Sequence, residues 1–132
     1  MTNEFNSIYV TQKDNGIPIW YYDISNHELQ IDIHIQSIGF TLGKHKFVMS
    51  AKNQFGNELL SLDPMTLNTD NQYPIFASTN NSSKYGAGEF SFYIELNEKD
   101  LINIGNRLTI NIKMDNEVEG TFVLLLIGEN NG

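Results

Sequence analysis

Three stretches of the chain alternate apolar and polar residues with a period of two. In 29–36 the odd positions are Leu29, Ile31, Ile33 and Ile35, and every even position is polar. In 89–96 the apolar set is Phe90, Phe92, Ile94 and Leu96, and in 107–114 it is Leu108, Ile110, Ile112 and Met114. Successive side chains on a strand point to opposite faces, so each stretch has one apolar and one polar side. A helix would scatter the same residues around its circumference. Strands of this kind belong to antiparallel sheets with one face on a core and one in water.

Shorter strands fill the intervals. Segments 5–12 and 17–24 flank Asp14-Asn15-Gly16, a hairpin signal. Segments 46–53 and 58–62 flank a second turn, 54–57, and Asp115-Asn116 precedes the last strand, 120–127. Residues 74–77 read as a short edge strand, Gly86-Ala87-Gly88 as a turn or bulge, and 97–102 as a helical turn capped by Asn97. Eight of the 17 Asn residues sit where strands are expected to end, and there their side chains and tolerance of left-handed backbone are useful. The expected fold is all-β: one domain over 1–132, an antiparallel two-sheet β-sandwich of seven to nine short strands with immunoglobulin-like or jelly-roll Greek-key connections. A small closed barrel is the alternative. The core is expected to hold the four apolar residues of 29–36 together with Phe47, Phe90, Phe92, Ile94, Leu108, Ile110, Ile112 and Leu124.

The last strand departs from one-sidedness. From Phe122 to Ile127 all six residues are apolar. If Phe122, Leu124 and Leu126 face the core, then Val123, Leu125 and Ile127 need a second cover, because large open apolar patches are uncommon on monomers. Segment 5–10 of the same chain is one candidate cover and a subunit interface is the other.

Catalytic and metal chemistry find little support. There is no cysteine, hence no disulfide or thiolate site. His27, His34 and His45 are far apart in sequence and read as surface residues rather than ligands. No Gly-x-Ser-x-Gly is present. Glu89 and Glu95 share a strand face but lie roughly 20 Å apart, too far for a glycosidase pair. The acidic segments 63–72 and 115–119 do not fit a calcium loop. No catalytic residue, metal ligand or cofactor is assigned.

The aromatic run Trp20-Tyr21-Tyr22 is the most suggestive local feature. Pro18 marks its strand as an edge. Alternation sends Ile17, Ile19 and Tyr21 to the core and leaves Trp20 and Tyr22 as a platform for a sugar ring or a protein, with Tyr73 and Tyr85 extending it. Sixteen acidic against eight basic residues give a net charge of −8, which disfavours nucleic acid and anionic membrane as partners. The first residues show no basic region followed by an apolar run, so a cytoplasmic location is expected, or a virion if the chain is phage-encoded. The expected function is a non-catalytic interaction or assembly protein, binding another protein or itself within a bacterial or phage assembly. A small carbohydrate-binding module is the alternative.

Overall fold

The computed structural model describes residues 3–70 and 85–128, together with the backbone of 73–74. Two sheets pack face to face. The first has five strands, β1 (Glu4–Gln12), β2 (Pro18–Ile19), β4 (Leu29–Thr41), β8 (Tyr73–Pro74) and β9 (Tyr85–Leu96), in the order β2-β1-β4-β9-β8. The second has β3 (Tyr21–Asp23), β5 (Lys44–Lys52), β6 (Glu58–Ser61), β10 (Arg107–Met114) and β11 (Val118–Ile127), in the order β3-β11-β10-β5-β6. In this second sheet β7 (Met65–Asn68) also pairs with β5. All pairings are antiparallel except β3 with β11. This is the two-sheet sandwich that the period-two segments require. The strand number rises to eleven because 17–24 splits in two and because short pieces such as Met65–Asn68 pair as well.

The core is the sum of the inner faces. All twelve of the expected core residues are buried, joined by Val10, Ile24, Phe40, Met49, Leu101, Ile104 and others. Phe47 lies 5.0 Å from Phe90 and 5.3 Å from Phe92, centroid to centroid, tying the two sheets together. The turns form as their residues dictate. Asp14 takes a φ of 60° in the first hairpin, and Asp115 and Asn116 take 55° and 57° between β10 and β11. Asn97 caps α1 (Glu98–Leu101) in a reciprocal arrangement with Asp100.

Three expectations need correction. Gly86, Ala87 and Gly88 are neither turn nor bulge: they lie inside β9, and the bulge is on β4, between Ile38 and Phe40. Gly86 is small because a Cβ there would come within 2.8 Å of Phe40 and Leu42 side-chain atoms. The strand expected over 17–24 breaks at Trp20, where the chain leaves the first sheet for the second. His45 is not a surface residue; it is 7% exposed. Of the edge strand expected over 74–77, Pro74 pairs with Gly86, and residues 75–77 lie outside the described residues.

Candidate functional site

The switch of sheets at Trp20 decides where the aromatic run points. Had 17–24 run straight, alternation would have buried Ile17, Ile19 and Tyr21. Instead Ile17 is 69% exposed, and Ile19 packs partly against the core. Past the corner the phase reverses. Tyr22 turns inward, and its hydroxyl accepts a hydrogen bond from the Gln30 N–H at 3.2 Å. Tyr21 faces outward beside Leu125, its partner in register. Trp20 meets Tyr21 edge to face at 5.0 Å, and its carbonyl accepts the Leu125 N–H at 3.1 Å. The open aromatic pair is therefore Trp20–Tyr21, not Trp20–Tyr22.

Tyr85 and Tyr73 do not extend this surface. They belong to the β9 and β8 side of the first sheet, at the opposite edge from β2. Tyr85 lines a small cavity of about 140 Å³ with Asn3, His45 and Asp115. The side chain of Tyr73 lies outside the described residues.

Val123, Leu125 and Ile127 do come together, on the outer face of the six-stranded sheet. They are 43%, 37% and 46% exposed, and Tyr21 and Trp20 continue the strip. Segment 5–10 does not cover it, because β1 approaches β11 from the inside. A Cβ on Gly120 would fall 2.3 Å from the Ile8 side chain and 3.0 Å from that of Phe5. Among the described residues the strip is bare.

Toward the middle of the same face the surface becomes polar. A shallow cavity of about 400 Å³ there is lined by Ser50, Thr109, Asn111 and Thr121 together with the charged Lys52, Lys113 and Glu119. The outward residues of β5 include Lys44, Lys46 and Lys52, and those of β10 include Arg107 and Lys113.

The outer face of the five-stranded sheet has a different character. Strand register sets Tyr9, His34 and Ser91 in one row and Thr11, Asp32 and Tyr93 in the next. The His34 ring stacks on Tyr9 at 4.6 Å. Its nitrogens meet Thr11 Oγ1 at 2.8 Å and Ser91 Oγ at 2.9 Å, and Glu89 lies 3.5 Å away. Tyr9 donates to Glu89 at 2.6 Å, and that hydrogen bond, with burial and the carboxylate's charge, raises the phenol's pKa. Burial and the carboxylates of Glu95, Asp32 and Asp14 likewise raise that of Tyr93. A hydroxyl on an imidazole is a nucleophile–base pair in outline. Here Thr11 is 2% exposed, and the strand N–H groups around it serve the ladders to β2 and β4 rather than an oxyanion hole.

No group of three or more His, Asp or Glu that could hold a metal occurs among the described residues. The Asp115 carboxylate, proposed in no cation role by its spacing, is occupied by His45 and by the Lys46 N–H at 2.8 Å. No helix is long and apolar enough to cross a membrane among the described residues.

No family model and no curated protein matches the sequence. Solved structures share the fold. A bacterial adhesin from Mobiluncus mulieris superposes with a TM-score of 0.63 at 8% identity, over 96% of this chain and 58% of that one. The C-terminal domain of Wzt gives 0.51 at 11% identity, over 96% and 74%. A β-glucuronidase from Bacteroides uniformis gives 0.52 at 8% identity, over 92% of this chain but only 14% of the enzyme. The chain spans 58% of the adhesin structure, 74% of the Wzt domain and 14% of the glucuronidase. At these identities the likeness defines the class, a β-sandwich domain, and goes no further.

Proposed function

We propose that the chain is a non-catalytic interaction domain that binds protein, its own copies first, through the outer face of the six-stranded sheet. The observation that carries this reading is the strip of Trp20, Tyr21, Val123, Leu125 and Ile127, five exposed apolar side chains on one continuous surface. Side chains of this size at these exposures leave roughly 400–500 Å² of apolar surface, within the roughly 300–600 Å² of the largest patch on a typical monomer, a patch that is often functional. Burying an aliphatic side chain contributes roughly 1.5–3 kcal/mol. Tyr and Trp are also over-represented among residues that dominate interfaces. Service in an adhesive or structural assembly, bacterial or viral, agrees with an adhesin among the structural neighbours.

The test is mass in solution. Sedimentation at high micromolar concentration should show species above 15.0 kDa, and Leu125→Glu should return a folded monomer. A wild-type chain that stays monomeric would refute self-binding. A carbohydrate-binding module is the second reading, favoured by the exposed Trp20–Tyr21 pair on the face that also carries a polar cavity. It requires glycan-array binding that Trp20→Ala abolishes.

A further inference from the structure

We propose that copies of this chain assemble head to tail, the outer face of the five-stranded sheet of one copy docking on the outer face of the six-stranded sheet of the next. The proposal rests on the self-binding reading above and adds to it the second surface and the polarity of assembly.

Charge is distributed unevenly between the two outer faces. A chain with sixteen acidic and eight basic residues, evenly spread, would be acidic on both sides. This one is not. Five of the eight basic residues, Lys44, Lys46, Lys52, Arg107 and Lys113, project from the six-stranded sheet. Among the described residues the acids on the strands of that face are Glu58, which faces Lys52 across the β5–β6 pairing, Asp23 and Glu119. Glu119 lies 3.6 Å from Lys113 and Asp23 is turned onto Ser25. Among the described residues no carboxylate lies within ion-pair distance of Lys44, Lys46, Lys52 or Arg107.

The opposite face carries the reverse. Glu4, Asp32, Glu89 and Glu95 project from the five-stranded sheet, and among the described residues the one lysine set against them is Lys13, whose ammonium sits 5.4 Å from the centroid of the Tyr93 ring. Of these four carboxylates only Glu89 has a basic group within ion-pair distance among the described residues, His34 at 3.5 Å. Each face therefore exposes unpaired charge that the other face, on a second copy, complements. Two basic faces or two acidic faces would meet as like charges, which disfavours both symmetric pairings. Both surfaces also offer aromatic anchors, Tyr9 and Tyr93 on one and Trp20 and Tyr21 on the other. Because the contacting patches differ and lie on opposite sides of the sandwich, the contact is heterologous and repeats from copy to copy without closing into a dimer.

A charge-swap experiment decides the matter. One variant carries Asp32→Lys and Glu95→Lys; the other carries Lys52→Glu and Arg107→Glu. All four sites are on outer faces, and circular dichroism of each variant should match the wild type. The wild type should show a mass that grows with concentration past twice 15.0 kDa. Each variant alone should sediment as a monomer, and an equimolar mixture should recover the growing series, since the two intact faces meet as in the wild type and the two swapped faces meet with their charges reversed. A mixture that stays monomeric overturns the proposal. A closed dimer that survives both charge swaps and is lost only with Leu125→Glu overturns head-to-tail assembly while leaving self-binding intact. A wild type that is monomeric throughout overturns both.

Discussion

His45 bridges the two sheets with both ring nitrogens facing acceptors. Nδ1 meets the Asp115 carboxylate and Nε2 meets the Thr41 carbonyl. Asp115 also accepts the Lys46 N–H, and the Phe40 ring lies edge-on at 5.9 Å. Two acceptors want two N–H donors, which is the imidazolium. Burial alone lowers the pKa of such a ring. The Asp115 hydrogen bond, the Thr41 carbonyl and the charges of Asp115 and Glu117 outweigh it, and the net shift is upward from 6.5. A folded pKa above the unfolded one gives stability that is complete below about pH 6.5 and is lost as pH rises through the folded value. The melting temperature of the wild type should therefore fall as pH rises from about 6.5 through the raised folded value. His45→Gln, which keeps hydrogen-bonding capacity without titrating, should flatten that dependence. An equal slope in both proteins would remove His45 as its source. Nothing local in Lys44-His45-Lys46 shows this role. Asp115 is 70 positions away, and only the pairing of β10 with β5 brings it there.

Regular strands are legible because their cause is local. On β4 the burial runs strictly with the alternation from Leu29 to Ile35, and the facing residues of β9, Phe90 to Leu96, do the same in register. Ile33 is fully buried at the centre, so Ile33→Ala should cost about 2–5 kcal/mol in a urea melt. Gln30, on the wet side with its amide on Glu95 at 3.1 Å, should tolerate Ala within about 0.5 kcal/mol. Loss of stability at Gln30 comparable to that at Ile33 would mean a register slipped by one residue. Segment 17–24 was illegible because its cause is not local. The corner at Trp20 is held by the Leu125 and Ile24 N–H groups, which bond to Trp20 and Ile127 carbonyls across a parallel pairing between residues a hundred positions apart. The Met65–Asn68 strand is hidden in the sequence for a related reason. Four residues carry too little alternation to stand out, and pairing with β5 alone organises them.

At the scale of the whole molecule, a net charge of −8 conceals its most consequential property, which is segregation. The spacing Lys44, Lys46, Lys52 shows that these lysines share a face, and Asp32 and Glu95 each alternate with apolar neighbours. Which strand joins which sheet is set by topology, and with it the sign of each surface. Trp20 reports on the consequence. It is the sole tryptophan and 66% exposed, at the margin of the basic face beside Val123 and Leu125. In dilute solution its emission should be red and readily quenched by acrylamide, a neutral quencher that the acidic net charge does not repel. As concentration rises and copies associate, water leaves the strip, and the emission should shift to the blue and become protected over the range in which the sedimenting mass increases. Leu125→Glu should keep the red emission at every concentration, because a charge at the centre of the strip must be desolvated for any partner to seat there. Emission that remains red while the mass grows would place the contact away from Trp20 and strip the apolar margin of its role, leaving the charged centre of the sheet as the binding surface.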